Sequence, residues 1–260
     1  MKGEPWGGVS LARAPALTLF LLLVPIGAGL IGTLLPAVGW LPVVGAAEFS
    51  LQPWRALLAQ PGLWHSLGLT LWTGFATTSL SLLLALALLA TCYHTAWLHR
   101  IRRWLAPLLA IPPAALAFGL AFLIAPSGWL ARWLAPWATG WERPPDFAGF
   151  GPQDRWGLSL ILALTLKETP YLLFMGLAGL AQLPVDSWSA VARSLGYGPV
   201  MVFLKVILPS LYPLLRLPVF AALAFALTVV DVALIIGPSV SLIHISEPTR
   251  RTPISYAVFC

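Results

Sequence analysis

The residues most able to do chemistry in this chain are few and scattered. Lys167, Glu168, Thr169 and Pro170 stand together inside an otherwise apolar run, and Asp231 stands inside another. A charged side chain at membrane depth costs about 2.5–3.5 kcal/mol on insertion scales, so these groups need partners or water. Adjacent residues on a helix diverge by about 100°, which makes a direct Lys167–Glu168 pair awkward unless Pro170 distorts the turn. Two uses stay open for them: lining a path through the membrane or touching another subunit, or neutralising one another for packing. Asp231 raises the same question, with the outer water interface as a further option. His65, His94, His99 and His244 lie in different regions, and His94 and His99 are poorly spaced for one helix face, so no metal site is expected. No Ser-His-Asp or Cys-His arrangement can be argued, so no catalytic residues are assigned. No G-x-x-x-x-G-K-S/T occurs either, which leaves the chain without a phosphate-cradling loop and without an expected cofactor. Any energy it uses comes from elsewhere. Two cysteines, Cys92 and Cys260, exclude a disulfide framework and a thiolate metal site.

Composition decides what must position these groups. Of 260 residues, 59% are hydrophobic and only 9% charged, and the mean hydropathy is +0.86. A soluble domain carries about 25% charged residues, so the chain is expected to be an integral, all-α, polytopic membrane protein. Five apolar runs are long enough to cross roughly 30 Å of hydrocarbon: about 15–35, 66–90, 104–125, 157–180 and 211–236. The first is too long for a signal-peptide core of about 7–15 residues and reads as an uncleaved span. Gly68, Gly74, Ala76 and Ser79 in the second permit close helix contact. Pro107, Pro112 and Pro113 predict a kink in the third, whose freed carbonyls must face protein or a cavity. Between the spans lie two Trp-rich loops, about 36–64 and 126–156. The first has a short amphipathic helix around Trp54 to Ala59. In the second, Arg132, Arg143 and Arg155 balance Glu142, Asp146 and Asp154. Of 13 tryptophans, only Trp72 falls clearly inside a span, as expected for rings that settle at headgroup level.

Charge then orients the chain, and the net +6 encodes topology rather than nucleic-acid binding. Alternating sides at each span puts Lys2, Arg13, Arg100, Arg102, Arg103, Arg193, Lys205 and Arg216 on one side. Arg55, Arg132, Arg143 and Arg155 fall on the other. The excess of basic residues marks the cytoplasmic side. The amino terminus (1–14), the Arg100 loop and the segment 190–209 are therefore expected to face inward.

That last segment, AVARSLGYGPVMVFLKVILP, is the polar interruption between the last two spans. Gly196 and Gly198-Pro199 forbid one continuous helix, predicting a short helix before Gly196 and another after Pro199, closed by Leu208-Pro209. The stretch resembles the coupling loop of ABC-transporter permeases: E-A-A, three residues, G, nine residues, I-x-L-P. Ala192, Gly196, Leu208 and Pro209 keep the spacing, Val206 replaces Ile, Val191 replaces the first Ala, and Ala190 stands where the family has Glu. The resemblance covers about residues 10 to 238. The Leu67-Gly68-Leu69-Thr70-Leu71 and Asp231-Val232-Ala233-Leu234-Ile235-Ile236-Gly237-Pro238 segments look most like importer permeases of the thiamine, iron(III) and polyamine type.

The resemblance implies a six-helix type I permease core, of which five helices are present, in a bacterial inner membrane. It implies that Ala190, Ala192, Arg193, Gly196, Lys205, Leu208 and Pro209 belong to a loop that docks on a cytoplasmic ABC ATPase dimer. ATP would then be used by that partner and not by this chain. Further implied partners are a second permease half, fused or separate, and a solute-binding protein on the outer face. Residues 15–238 would form the transmembrane domain. Ser241 to Arg250, SLIHISEPTR, looks like a translated sequencing adapter, so residues 241–260 are expected to be a non-native tail on a truncated chain. Two rival classes remain: an ion-coupled secondary transporter using Lys167, Glu168 and Asp231 as a relay, and a membrane scaffold without transport.

Overall fold

The computed structural model describes residues 13–40, 42, 48–93, 95, 97–134 and 151–238. The tail 241–260, residues 1–12, His94, and the Glu142, Arg143 and Asp146 positions lie outside the described residues. Among the described residues every regular element is helical, and five helices are long and apolar enough to cross a membrane. The all-α polytopic expectation is borne out.

The chain divides into two units, residues 1–63 and 64–260. In the first, α1 (Arg13–Ala37) is a continuous apolar helix that runs through Pro25, and α2 (Gln52–Leu58) is a short helix opened by Pro53. The turn between them closes on itself: the Ser50 amide donates to the Val38 carbonyl at 2.8 Å.

The second unit is built around α7 (Leu158–Leu180). It packs against α4 (Trp97–Ala110), α5 (Pro113–Ile124), α10 (Leu208–Thr228) and α11 (Asp231–Ile236). Its window is also the most buried of the five spans. The start of α7 is fixed by Asp154, whose two carboxylate oxygens accept the Leu158 and Ser159 amides at 2.7 and 2.9 Å. These are orphan donors of a first turn, and a carboxylate there also opposes the positive helix end. Asp154 was expected merely to balance charge in its loop; it caps the central helix instead. Gly157, just before the helix, has φ +67, and a Cβ there would meet Thr73 Cγ2 at 2.6 Å.

Helix α3 (Leu63–Cys92) runs beside α7 in the same direction, as two spans separated by one other must. Thr73 lies by Gly157, Ser81 by Glu168, and Leu89 by Gly176, where a Cβ would come within 2.5 Å of Leu89 Cδ1. The face of α3 that is covered carries Ser66, Thr73, Thr77, Thr78 and Ser81, along with Gly74, whose missing Cβ admits Leu227. Of the small residues expected at contacts, Gly74 serves, whereas a Cβ on Gly68 would touch nothing.

Two helix limits differ from those expected. The run 104–125 is not one span: the helix breaks at Ile111-Pro112, between α4 and α5. The stretch long and apolar enough to cross a membrane is instead Pro113–Trp133, α5 with α6 (Trp129–Leu134). Consecutive prolines explain the break, since neither Pro112 nor Pro113 has an amide to donate back along the helix. The run 211–236 is likewise displaced: the long apolar helical stretch starts at Pro199 and ends at Thr228, with α11 following the non-helical Val229-Val230.

Candidate functional site

The 185–209 region is an elbow at the end of α7. Helix α8 (Val185–Ser194) carries Ala190 and Arg193 exposed and buries Ser189 and Ala192. It stops where the chain turns through Gly196 at φ +85, a left-handed conformation that favours glycine, with nothing near enough to contact an added Cβ. Tyr197 donates its amide to the Ala192 carbonyl, closing the turn at 3.2 Å. From Pro199 the chain is helical again through α9 (Pro199–Val202), a π-helical turn at Phe203–Ile207, and α10.

Leu208-Pro209 therefore does not close a second short helix, as the sequence suggested; it sits where the wide turn passes into the long crossing helix. Pro209 has no amide for the Lys205 carbonyl, and its ring crowds that oxygen. The ladder shifts register instead of stopping: the Leu208 amide donates to the Phe203 carbonyl five residues back. Wide turns of this kind are frequent at functional sites.

Val202, Phe203 and Ile207 anchor the elbow, each wholly buried in the cluster that also holds Leu89, Leu172 and Leu211. Its tip is the reverse. Val191 is 64% and Leu195 72% exposed, and Tyr197, Val200 and Met201 are exposed as well. Lys205, also exposed, holds its ammonium 5.5 Å from the centre of the Tyr197 ring, joining the two sides of the elbow. Leu208 is half-buried and Pro209 exposed.

The charges within the apolar helices meet different surroundings. Lys167 Nζ donates to the carbonyls of Leu109 at 2.9 Å and Ile111 at 2.6 Å. The Leu109 carbonyl is one that Pro113, four residues on, cannot serve. Lys167 thus clasps the break between α4 and α5 from α7. Glu168, on the next face, is buried at 3% exposure and faces Ser81 without closing a hydrogen bond of ordinary geometry. Thr77, Thr78 and Thr165 have buried hydroxyls without a partner as well. Asp231 is exposed in the first turn of α11, immediately after the Val229-Val230 break. Lys167 and Glu168 do not neutralise one another. No group of three or more His, Cys, Asp or Glu side chains that could hold a metal ion occurs among the described residues.

An inner membrane ABC transporter permease protein, YnjC of Escherichia coli (strain K12), is 33% identical over 208 residues, which are 78% of this chain and 38% of that relative. The chain belongs to the ABC transporter permeases. It spans well under half of that relative's length. No family model matches it.

In this permease, sequence reasoning missed three features. The apolar tip, Val191, Leu195, Tyr197, Val200 and Met201, does not follow from the loop's spacing. Its signal was present, since large apolar residues recur there in an otherwise polar segment. The hydroxyl stripe of α3 was legible as Ser66, Thr70, Thr73, Thr77 and Ser81, a helical period. The Lys167 clasp is half legible: the sequence shows prolines that free carbonyls and a lysine that needs acceptors, and nothing in one dimension joins them.

Proposed function

We propose that this chain forms one half of the solute pathway of an ATP-driven importer in a bacterial inner membrane, with the 185–209 elbow seated on a cytoplasmic ABC ATPase. The observation that carries the proposal is the exposed tip. Five large apolar residues stand uncovered beside Arg193 and Lys205 on an elbow whose root is fully packed, and a patch of that kind marks a surface that another protein covers. The likeness to an inner membrane ABC transporter permease of Escherichia coli supports the reading. So does the distribution of charge, since Arg100, Arg102 and Arg103 share with Arg193 the end of the bundle where α3 and α7 finish.

On this reading the ATPase binds ATP, a second permease half completes the path, and a solute-binding protein delivers to the opposite face. The residues that touch the ATPase are the tip side chains together with Ala190, Arg193 and Lys205, while Ala192, Gly196, Leu208 and Pro209 hold the elbow's shape. Asp231, exposed beside the Val229-Val230 break, faces the path or the second half, because non-helical backbone at membrane depth is tolerated only against protein or a water-filled cavity. Co-purification with an ATPase tests the assignment. Capture is expected with the native tip and loss with Val191→Asp and Leu195→Asp. Capture unchanged by both substitutions, or labelling of Arg193→Cys from outside intact cells, refutes it.

A further inference from the structure

Helix α4 has three faces. At about 100° per residue, Leu98, Ile101, Leu105 and Leu109 form one stripe, and it is the covered one: Leu98 and Leu105 are buried against α7. Trp97, Trp104 and Leu108 fall on the adjoining stripe and are exposed, the two tryptophans at 62% and 65%. Arg100 and Arg103 come next around the helix, beyond the aromatic stripe, and both are exposed. The Arg100 guanidinium lies 4.9 Å from the centre of the Trp97 ring. Arg102 falls on the opposite flank, where it lines a cavity of about 510 Å³ with Asp186 and Ser187 at the foot of α8.

This order of faces is the one a bilayer interface requires. Where a helix enters the bilayer, its aromatic and aliphatic side chains sink to the acyl boundary and its cations stay at headgroup level. The helix contains no acidic residue that would neutralise Arg100 and Arg103. It runs along α7 from the foot of α8, where Arg102 lies, to Lys167 midway down α7, so Arg100 and Arg103 stand in its half nearer the end of the bundle.

We propose that Trp97, Arg100, Arg103 and Trp104 form a binding site for anionic phospholipid headgroups. The two arginines take the phosphate, and the tryptophans seat the glycerol and upper acyl region. Which leaflet supplies the lipid rests on the orientation proposed above; the binding itself does not, because a nanodisc presents the same lipid on both faces.

The test is native mass spectrometry of the whole purified chain, released from nanodiscs and titrated with phosphatidylglycerol or with phosphatidylcholine. A basic residue near an anionic surface contributes about 1 kcal/mol. Arg100→Gln with Arg103→Gln is therefore expected to weaken phosphatidylglycerol binding about thirtyfold and phosphatidylcholine binding much less, because the choline ammonium already offsets that lipid's phosphate. The Arg100→Lys, Arg103→Lys pair keeps most of the binding and controls for misfolding, and Arg102→Gln leaves it intact. Equal binding of the two lipids by the native chain overturns the site, and so does an Arg102→Gln loss as large as that of the Gln pair. Loss of ATPase capture by the Gln pair with unaltered lipid binding also overturns it, in favour of a protein partner on this face. Outside labelling at position 193 would refute the orientation and leave the lipid result standing.

Discussion

Replacing Lys167 by Met removes the donor from two carbonyls at the α4–α5 break while keeping a long unbranched side chain in place. Leaving a buried acceptor unserved costs about 1–3 kcal/mol, and hydrogen bonds to charged groups about 1.5–3. Lys167 is only half-buried, and unfolded chains in a membrane find partners of their own. The expected loss is therefore at the low end, about 1–2 kcal/mol, read by denaturant titration of helicity in mixed micelles. The decisive measurement is a double-mutant cycle with Pro113→Ala, which gives the Leu109 carbonyl an amide four residues on and so a donor of its own. Lys167→Met should then cost less, with a coupling of about 1 kcal/mol. Independent sites add within about 0.3–0.5 kcal/mol. A coupling inside that scatter would mean that Lys167 does not serve the proline-freed carbonyl, and the clasp would be refuted.

Three further substitutions follow from the same geometry. Gly196 needs φ +85 but has open space around it, so Gly196→Asn should keep ATPase capture better than Gly196→Val, at a conformational cost of about 1–3 kcal/mol for the latter; equal capture would show that the elbow does not depend on that turn. Asp154→Ala strips two amides of α7 of their acceptor and should lower stability by about 1–2 kcal/mol in the same titration, with Asp154→Asn losing less because it keeps an acceptor oxygen. Glu168 is buried without a cationic partner, and burying a bare carboxylate costs several kcal/mol. Glu168→Gln should therefore hold or raise stability; a drop of more than about 2 kcal/mol would show that the carboxylate itself is required.

The all-helical class and the five crossings were legible because the length and apolarity of a span are one-dimensional quantities. Where a helix ends was less so. The apolar run from Trp104 to Ala125 concealed that its first part, ending at Ala110, belongs to a helix whose covered stripe faces α7, since hydropathy counts residues and not the direction they face. Pro209 read as a stop, yet a π-helical turn absorbs the missing amide and the helix continues to Thr228. Asp154 read as one of six balancing charges because its two acceptors reach amides that become orphan donors only once α7 starts at Leu158. In each case the missing information was the identity of an orphaned backbone group, which local sequence states only when a proline announces it.

That same accounting links the two ends of the second unit. The elbow's root, Val202, Phe203 and Ile207, packs with Leu172, Leu173 and Leu177 of α7 in one cluster. The turn from α7 into α8 is held by a run of short-range bonds, from the Ala181 amide to Leu177 through the Val185 amide to Leu183. A force applied at the tip therefore acts on α7 rather than on a slack loop. Along α7 it meets Lys167, whose ammonium holds the α4–α5 break, and Glu168, whose carboxyl faces Ser81 of α3. The first contact resists sliding, because moving it strands two carbonyls. On the reading proposed above, displacement of the elbow would reach the α4–α5 break through α7 and the Lys167 contact.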